Sequence, residues 1–128
     1  MLVVNRFVIP SGEPADSPDG PFGAPGRPGS GEQSFVDRAH TAIRALADCE
    51  GFIRAQFGRA ADDPRHWCLV TEWRSVGAYR RALSSFQVKL DATSLLAEAV
   101  QDPSAYEVLA TCEGGEITVA GSDRAPGA

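Results

Sequence analysis

The run HWCLVTEW, residues 66–73, constrains the fold of this chain more than any other stretch. Alternate side chains of a strand point to opposite faces, so a strand here carries apolar residues on both of its faces. The faces are Trp67, Leu69, Thr71 and Trp73 on one side, and His66, Cys68, Val70 and Glu72 on the other. The helical sequence SVGAYRRAL follows at once, so Trp73 lies where a strand ends and a helix begins.

The rest of the chain provides partners for this strand. LVVNRFVI, residues 2–9, is rich in β-branched and aromatic residues and predicts a first strand that Pro10 ends. Apolar residues at helical spacing predict a helix that begins near Ser30 and stops at Gly51. The other predicted elements are strands at 52–59 and 66–74 joined by a turn at 61–65, a helix at 76–84, irregular helical structure at 86–101 and a last strand at 105–112.

The order of these elements is β, α, β, β, α, β, which predicts an α+β, ferredoxin-like split βαβ fold. In that fold both helices cover one face of an antiparallel sheet, and the other face stays bare. Because the first and third strands carry apolar residues on both faces, we expect a second copy of the chain to cover the bare face. The expected assembly is a homodimer.

Two segments do not fit into this core. Residues 10–31 are roughly half Gly and Pro and have Phe22 as their only large apolar side chain, so burial cannot offset their ordering entropy. We predict a flexible insertion, and we expect deletion of residues 11–29 to leave thermal stability almost unchanged. Residues 113–128 are small, polar and Gly-rich, which predicts a disordered tail. A chain of 128 residues, 43% of them hydrophobic, can bury one core, so residues 1–112 are expected to form a single domain.

Charge and cysteine content exclude several classes of protein. The formal net charge is −5, which does not suit nucleic acid, because phosphates require clustered Lys and Arg. Cys49, Cys68 and Cys112 lack the spacing of a zinc site or a redox pair and indicate reduced thiols in a cytoplasmic protein. The apolar run at the start is too short for a signal peptide, and no segment has the roughly 20 apolar residues that span a membrane.

Four stretches of the chain together resemble a known family. They are VVNRFVI at the start, GF at residues 51–52, LVTEWRS with the AY and AL that follow it, and YEVL near the end. Their order and spacing are similar to the antibiotic biosynthesis monooxygenase family of dimeric α+β barrels, over about residues 1–9 and 32–112. The resemblance implies a homodimer whose two sheets pack into a barrel, with a small-molecule pocket in each protomer between the sheet and its helices.

The resemblance further implies a cofactor-independent monooxygenase. The quinone-forming branch of the family oxidises anthrone-like or hydroquinone-like aromatics with molecular oxygen and without metal, flavin or haem. An electron-rich, deprotonated substrate can itself give an electron to oxygen, so the protein binds the rings, promotes proton loss and excludes water.

The haem-degrading branch of the superfamily does not fit this chain. Asn5 matches the strand asparagine of that branch. Ala82 and Ala92, however, stand where its tryptophan and its iron-ligating histidine are expected, and no histidine follows Trp73. Without an imidazole to hold the iron, haem oxygenation of that type is not expected.

Polar and aromatic residues of the predicted strands and of the helical segments after residue 75 are candidates for the site. Asn5 and Trp73 are predicted as catalytic residues, and they line one pocket if both point towards the helices. His66 is the third, and it is the obvious base if it reaches the pocket, because histidine changes charge near neutral pH. The residues predicted to bind the substrate are Arg6, Phe7, Trp67, Tyr79 and Phe86.

Each candidate also has a structural interpretation. Trp73 suits a core position, since tryptophan dominates packing in small domains. Asn5 needs partners if it is buried, whether these are a ligand or the protein. Tyr79 can close its helix against the sheet, and His66 can be an exposed residue beside a turn. The alternative function is therefore a non-catalytic dimeric barrel that binds a hydrophobic small molecule, and a purely structural dimer is a third hypothesis.

Overall fold

A computed structural model of the chain describes residues 1–10 and 30–121. Residues 11–29, which make up most of the predicted insertion, and the final residues 122–128 lie outside the described residues. The strands are β1 Leu2–Val8, β2 Phe52–Arg59, β3 His66–Trp73, β4 Ala105–Tyr106, β5 Ala110–Glu113 and β6 Glu116–Val119. The helices are α1 Ser30–Ala47, α2 Val76–Ser84, α3 Phe86–Asp91 and α4 Thr93–Leu96.

Four strands form an antiparallel sheet in the order β2-β3-β1-β4. α1 packs on β2 and α2 packs on β3, while α3 and α4 pack against α1. This arrangement confirms the predicted α+β, ferredoxin-like fold. In the part of the chain that the structure describes, no helix is long and apolar enough to cross a membrane.

Two serines explain why the segment after β3 forms separate short helices. The Ser75 hydroxyl accepts a hydrogen bond from the Ala78 N–H at 3.1 Å and begins α2. The Ser85 hydroxyl accepts from the Val88 N–H at 3.3 Å and begins α3, while the Ser85 N–H donates to the carbonyl of Ala82 and ends α2. Ser85 is therefore the last cap of one helix and the first cap of the next, as capping preferences favour.

The sheet has one buried face and one uncovered face. The face towards the helices, here the helix face, includes Val3, Phe7, Trp67, Leu69, Thr71 and Trp73, all of them buried. The opposite face, here the open face, consists of Leu2, Val4, Arg6 and Val8 of β1, Arg54, Gln56 and Gly58 of β2, His66, Cys68, Val70 and Glu72 of β3, and Tyr106 of β4. The alternation predicted for β3 is confirmed.

The end of the chain differs from the prediction. The last strand was expected at residues 105–112, but β4 covers only Ala105–Tyr106, and β5 and β6 then form a separate two-stranded hairpin. Its turn is Gly114–Gly115, and both glycines have positive φ, 59° and 84°, as two-residue hairpin turns require. The prediction of a disordered tail from residue 113 is therefore wrong for the residues of this hairpin. The paired glycines between ATC and ITV are the sequence signal that was missed.

Candidate functional site

Trp73 lies at the centre of an aromatic group on the helix face. Its side chain is fully buried, and its ring contacts those of Phe52 and Tyr79, each with a centroid distance of 5.4 Å. The indole N–H donates a hydrogen bond to the Thr71 hydroxyl at 2.8 Å. Because this donor has its partner inside the protein and the ring is fully buried, Trp73 is a core residue in this structure.

Tyr79 is the polar member of this group. Its ring is partly buried, and desolvation raises the pKa of its phenol. Within the described residues, the Tyr79 hydroxyl has no hydrogen-bond partner. Its raised pKa makes it a donor of hydrogen bonds near neutral pH rather than a base.

Asn5 lies on the same face as Trp73 but not beside it. Asn5 is paired across the sheet with Leu69, and the row containing Val3 and Thr71 lies between it and Trp73. The four residues from Leu69 to Trp73 span about 13 Å at the usual rise of a strand. The half-buried amide of Asn5 has no hydrogen-bond partner in the described part of the chain. A ligand that touches both side chains must therefore be elongated.

A second aromatic cluster fills the other end of the helix face. The ring of Phe35 from α1 lies 5.1 Å from Phe7, 5.8 Å from Phe57 and 5.5 Å from Trp67. Phe57 stacks on Trp67 at 5.3 Å, and the Arg59 guanidinium lies 5.2 Å from the Trp67 ring centre. Phe7 and Trp67, both predicted to bind substrate, thus have their rings in the core.

A cavity of about 290 Å³ lies at the end of the sheet where β2 and β3 are joined. Three residues predicted for the site take part in its lining, which consists of Arg6, Gly58, Arg59, Ala60, His66, Trp67 and Cys68. Gly58 lies in β2 opposite Cys68 of β3. Because glycine has no side chain, this position contributes to the depression. We refer to this depression as the open-face cavity.

His66 at this cavity is held by the turn before β3, in which Asp63 is ionised at neutral pH. Its imidazole Nε2 lies 3.4 Å from a carboxylate oxygen of Asp63, and its backbone N–H donates to the Asp63 carbonyl. The Arg65 guanidinium donates two hydrogen bonds to Asp63, at 3.1 and 3.0 Å, and lowers the pKa of that carboxyl to about 2. A carboxylate that orients one nitrogen of an imidazole leaves the other free to accept a proton.

Two arginines give the cavity its positive charge. Arg6 forms an ion pair with Asp102 at 3.2 Å, and Arg59 forms one with Glu32 at 2.7 Å. Both guanidinium groups are about half exposed. Each retains donors that its partner does not use, because a guanidinium has five N–H groups.

The structure therefore separates the predicted residues into groups. Arg6, His66 and Trp67 meet at the open-face cavity, and Trp73 and Tyr79 meet on the helix face. Phe86, at the start of α3, is 75% exposed and borders none of these groups. Cys68 and Gly58 were not predicted, although the alternation of β3 places Cys68 on the same face as His66.

Two further cavities lie on the helix side of the molecule. One of about 280 Å³ lies between α1 and the α3–α4 region, and one of about 480 Å³ lies between the end of α1, α2 and the start of α3. Neither is lined by a residue that the sequence predicted for the site. Of these three cavities in the described part of the chain, predicted residues converge at the open-face cavity.

The comparisons with known proteins identify the class of fold and then the family. A conserved protein from Methanosarcina mazei Go1 superposes with a TM-score of 0.54 at 17% identity, over 81% of this chain and 84% of the other. SnoaB, a cofactor-independent oxygenase from Streptomyces nogalater, gives 0.53 at 20% identity over 99% and 96%. An antibiotic biosynthesis monooxygenase gives 0.51 at 13% identity over 84% and 99%. These likenesses define the fold.

The family follows from the sequence itself. The family model for antibiotic biosynthesis monooxygenases matches residues 27–93, which is more than half of the chain. The protein belongs to this family, and the resemblance found in its motifs is confirmed. No curated protein sequence matches the chain significantly.

Proposed function

We propose that the protein is a cofactor-independent monooxygenase that oxidises a small anthrone-like or hydroquinone-like aromatic substrate with molecular oxygen. Family membership and the fold shared with the oxygenase SnoaB support a monooxygenase. The observation that carries the proposal is the meeting of a histidine, an arginine and apolar surface at the open-face cavity. Such sites combine apolar walls with few polar groups.

The residues of the cavity suit the deprotonation of a phenol or an anthrone. His66 accepts the proton, and its Asp63 partner stabilises the imidazolium that results. The positive charges of Arg6 and Arg59 stabilise the substrate anion. This anion then gives an electron to oxygen. For an anthrone, one oxygen atom becomes the new carbonyl and the other leaves as water with the two hydrogens of the substrate methylene. This reaction balances without a further reductant.

We further propose that the working unit is a homodimer packed open face to open face. Val8 is 49% exposed on this face, and Val4 and Val70 are only partly covered. Such an apolar surface favours association. Pairing of the sheets covers the open-face cavity and excludes water from it, which strengthens the electrostatic interactions of His66 and Arg6.

A cytoplasmic location is part of the proposal. Cys49, Cys68 and Cys112 are all free thiols. Free thiols are stable in a reducing compartment.

Oxygen uptake tests the proposed reaction. The purified protein is supplied with anthrones, hydroquinones and flavonoid-like phenols in the presence of a metal chelator. We expect His66→Gln to lower the turnover number about 10²–10⁴-fold, the usual contribution of a general base. His40→Gln is the matched control, because His40 is the other histidine of the chain and is exposed on α1, away from the cavity.

The outcomes separate the hypotheses. Turnover that depends on His66 but not on His40 supports the proposal. Tight binding of an aromatic compound without oxygen consumption favours the alternative, a non-catalytic barrel that binds a hydrophobic small molecule. Equal turnover by the wild type and both variants contradicts the role of His66.

Tyr79 and Asn5 each have a polar group without a hydrogen-bond partner among the described residues, and these groups favour a second location for the substrate, on the helix face. In that location Trp73 forms an apolar wall, and the Asn5 amide stabilises charge on a substrate oxygen. Asn5→Ala then lowers turnover more than binding, while His66→Gln leaves both unchanged. The same assay thus decides between the two faces of the sheet.

A further inference from the structure

Gly58 lies within β2, where glycine is an unfavourable residue. Glycine weakens a strand, because it loses much conformational entropy on folding and has no side chain to pack. A strand tolerates this cost where the backbone has a positive φ, where the strand bulges, or where another group approaches the backbone closely. The structure decides which of these three reasons applies at Gly58.

The first two reasons do not apply to Gly58. Among the described glycines, positive φ occurs at Gly51, Gly114 and Gly115 only. The register of β2 against β3 is regular on both sides of Gly58, so the strand does not bulge there. A Cβ atom at Gly58 would also meet no atom of the described residues within 4 Å, apart from its two neighbours along the chain. A group that approaches this backbone closely must therefore come from outside the described chain.

Gly58 begins a row of three residues that crosses the open face. It is paired with Cys68 of β3, and Cys68 is paired with Arg6 of β1. Neighbouring strands lie about 4.8 Å apart, so Gly58 and Arg6 are separated by about 10 Å. The row rises from bare backbone through a short thiol to a long cation. His66 is two residues before Cys68 on the same face and lies beside this row, and all four residues line the open-face cavity.

We propose that Gly58 and Cys68 form a floor on which a planar, fused-ring substrate lies in the open-face cavity, and that Gly58 determines which ring systems fit. A ring stacked on the backbone lies about 3.5–4.0 Å from it, in the space that a side chain at position 58 would fill. The edges of such a ring face Arg6, which binds a substrate oxygen, and His66, which accepts the proton. The inference rests on the proposed function for the identity of the ligand.

The binding of 2-hydroxyanthraquinone tests the floor separately from the chemistry. This probe has planar fused rings and a phenol oxygen but no methylene to oxidise, so it binds without turnover. Gly58→Leu fills the space above the floor. Gln56→Leu is the matched control, because Gln56 lies on the same face of β2, one row further along, and does not line the cavity.

Isothermal titration calorimetry measures the effect on affinity. We expect Gly58→Leu to raise the Kd of the probe at least about tenfold, which corresponds to lost contact over roughly 55 Å² of apolar surface. Gly58→Ala should have a smaller effect in the same direction, and Gln56→Leu should change the Kd less than about twofold. Phenol has a single ring that fits beside the new side chain, so its Kd should change less than that of the probe.

Two further measurements locate the probe and check the fold. In NMR spectra of ¹⁵N-labelled wild type, the probe should shift the amide signals of Gly58 and Cys68 more than that of Tyr79 on the helix face. Thermal unfolding should show that Gly58→Leu is folded, because the space around this position is open. The largest shift at Tyr79, or an unfolded Gly58→Leu, overturns the proposal.

The remaining outcomes separate the floor from the proposed reaction. Equal effects of the two leucine substitutions, equal weakening of phenol and the probe, or no binding of the probe by the wild type overturn the floor. If the probe binds as expected but no aromatic compound causes oxygen uptake, the floor stands and the proposed chemistry fails. If oxygen uptake depends on His66 while Gly58→Leu changes neither binding nor turnover, the reaction stands and the floor fails.

Discussion

At the scale of single residues, the hydrogen bond to Thr71 fixes the position of the Trp73 side chain. The indole N–H finds its only acceptor in the described residues at Thr71, which is itself 2% exposed. Tryptophan at this position therefore closes the junction between β3 and α2. On the proposal above, it supports the sheet and does not bind the substrate.

The first prediction concerns this hydrogen bond. We expect Trp73→Phe and Thr71→Val each to lower the free energy of unfolding by about 1–3 kcal/mol, because each leaves a buried polar group unpaired or removes packed volume. The double variant should lose less than the sum, since the second change removes a group already without its partner. Urea denaturation gives the free energy of unfolding of the wild type, the two single variants and the double variant. If the losses of the two single variants simply add up in the double variant, the hydrogen bond does not stabilise the fold.

The second prediction concerns pH and the turn that holds His66. The usual pKa of 3.8 for Asp63 is lowered to about 2 by Arg65, so ionised Asp63 stabilises the folded turn. A lowered pKa means that this contribution is complete above about pH 4 and is lost as the pH falls through about 2. The stability difference between the wild type and Asp63→Asn should therefore vanish over that range. A difference that grows on acidification contradicts this account.

At the scale of elements, Gly51 fixes how β2 meets α2. Its φ is +90°, and a Cβ atom at this position would lie 2.4 Å from the Ala78 Cβ. The Gly51 carbonyl also accepts the Arg74 N–H at 2.7 Å. Glycine is thus required twice, for the backbone conformation and for the close approach.

The third prediction follows from this contact. Gly51→Ala should lower the free energy of unfolding by about 2–4 kcal/mol, the sum of backbone strain and overpacking. Gly58→Ala is the control, because a Cβ there meets nothing within 4 Å. Thermal unfolding of both variants measures the effect, and an equal loss of stability in the two would contradict it.

The sequence predicts individual strands and helices better than it predicts how residues of different strands come together. β3 was predicted with its two faces because alternation depends only on local geometry, and α1 because its apolar stripe has helical spacing. The separation of Asn5 and Trp73 along the sheet could not be predicted, since the register of β1 against β3 depends on the whole sheet. His66 was placed at a turn correctly, but its cavity depends on Gly58, which lies on another strand.

At the scale of the whole molecule, the uncovered open face of the sheet is the feature that matters most. It presents apolar side chains that the described part of one chain leaves exposed. The fourth prediction is that light scattering at micromolar concentration gives the mass of a dimer. Specific activity should then fall on dilution below the dimer dissociation constant, because separation of the sheets lets water into the open-face cavity. A stable, fully active monomer would contradict both statements.

The reaction proposed for this protein is oxidation of an aromatic substrate by molecular oxygen without a cofactor. Its most direct test is the mass of the product formed under ¹⁸O₂ in the presence of a metal chelator. We expect one labelled oxygen atom in the product of the wild-type protein and, over the same time, almost no product from His66→Gln. Product without label, or a reaction that stops when metal is removed, would contradict it.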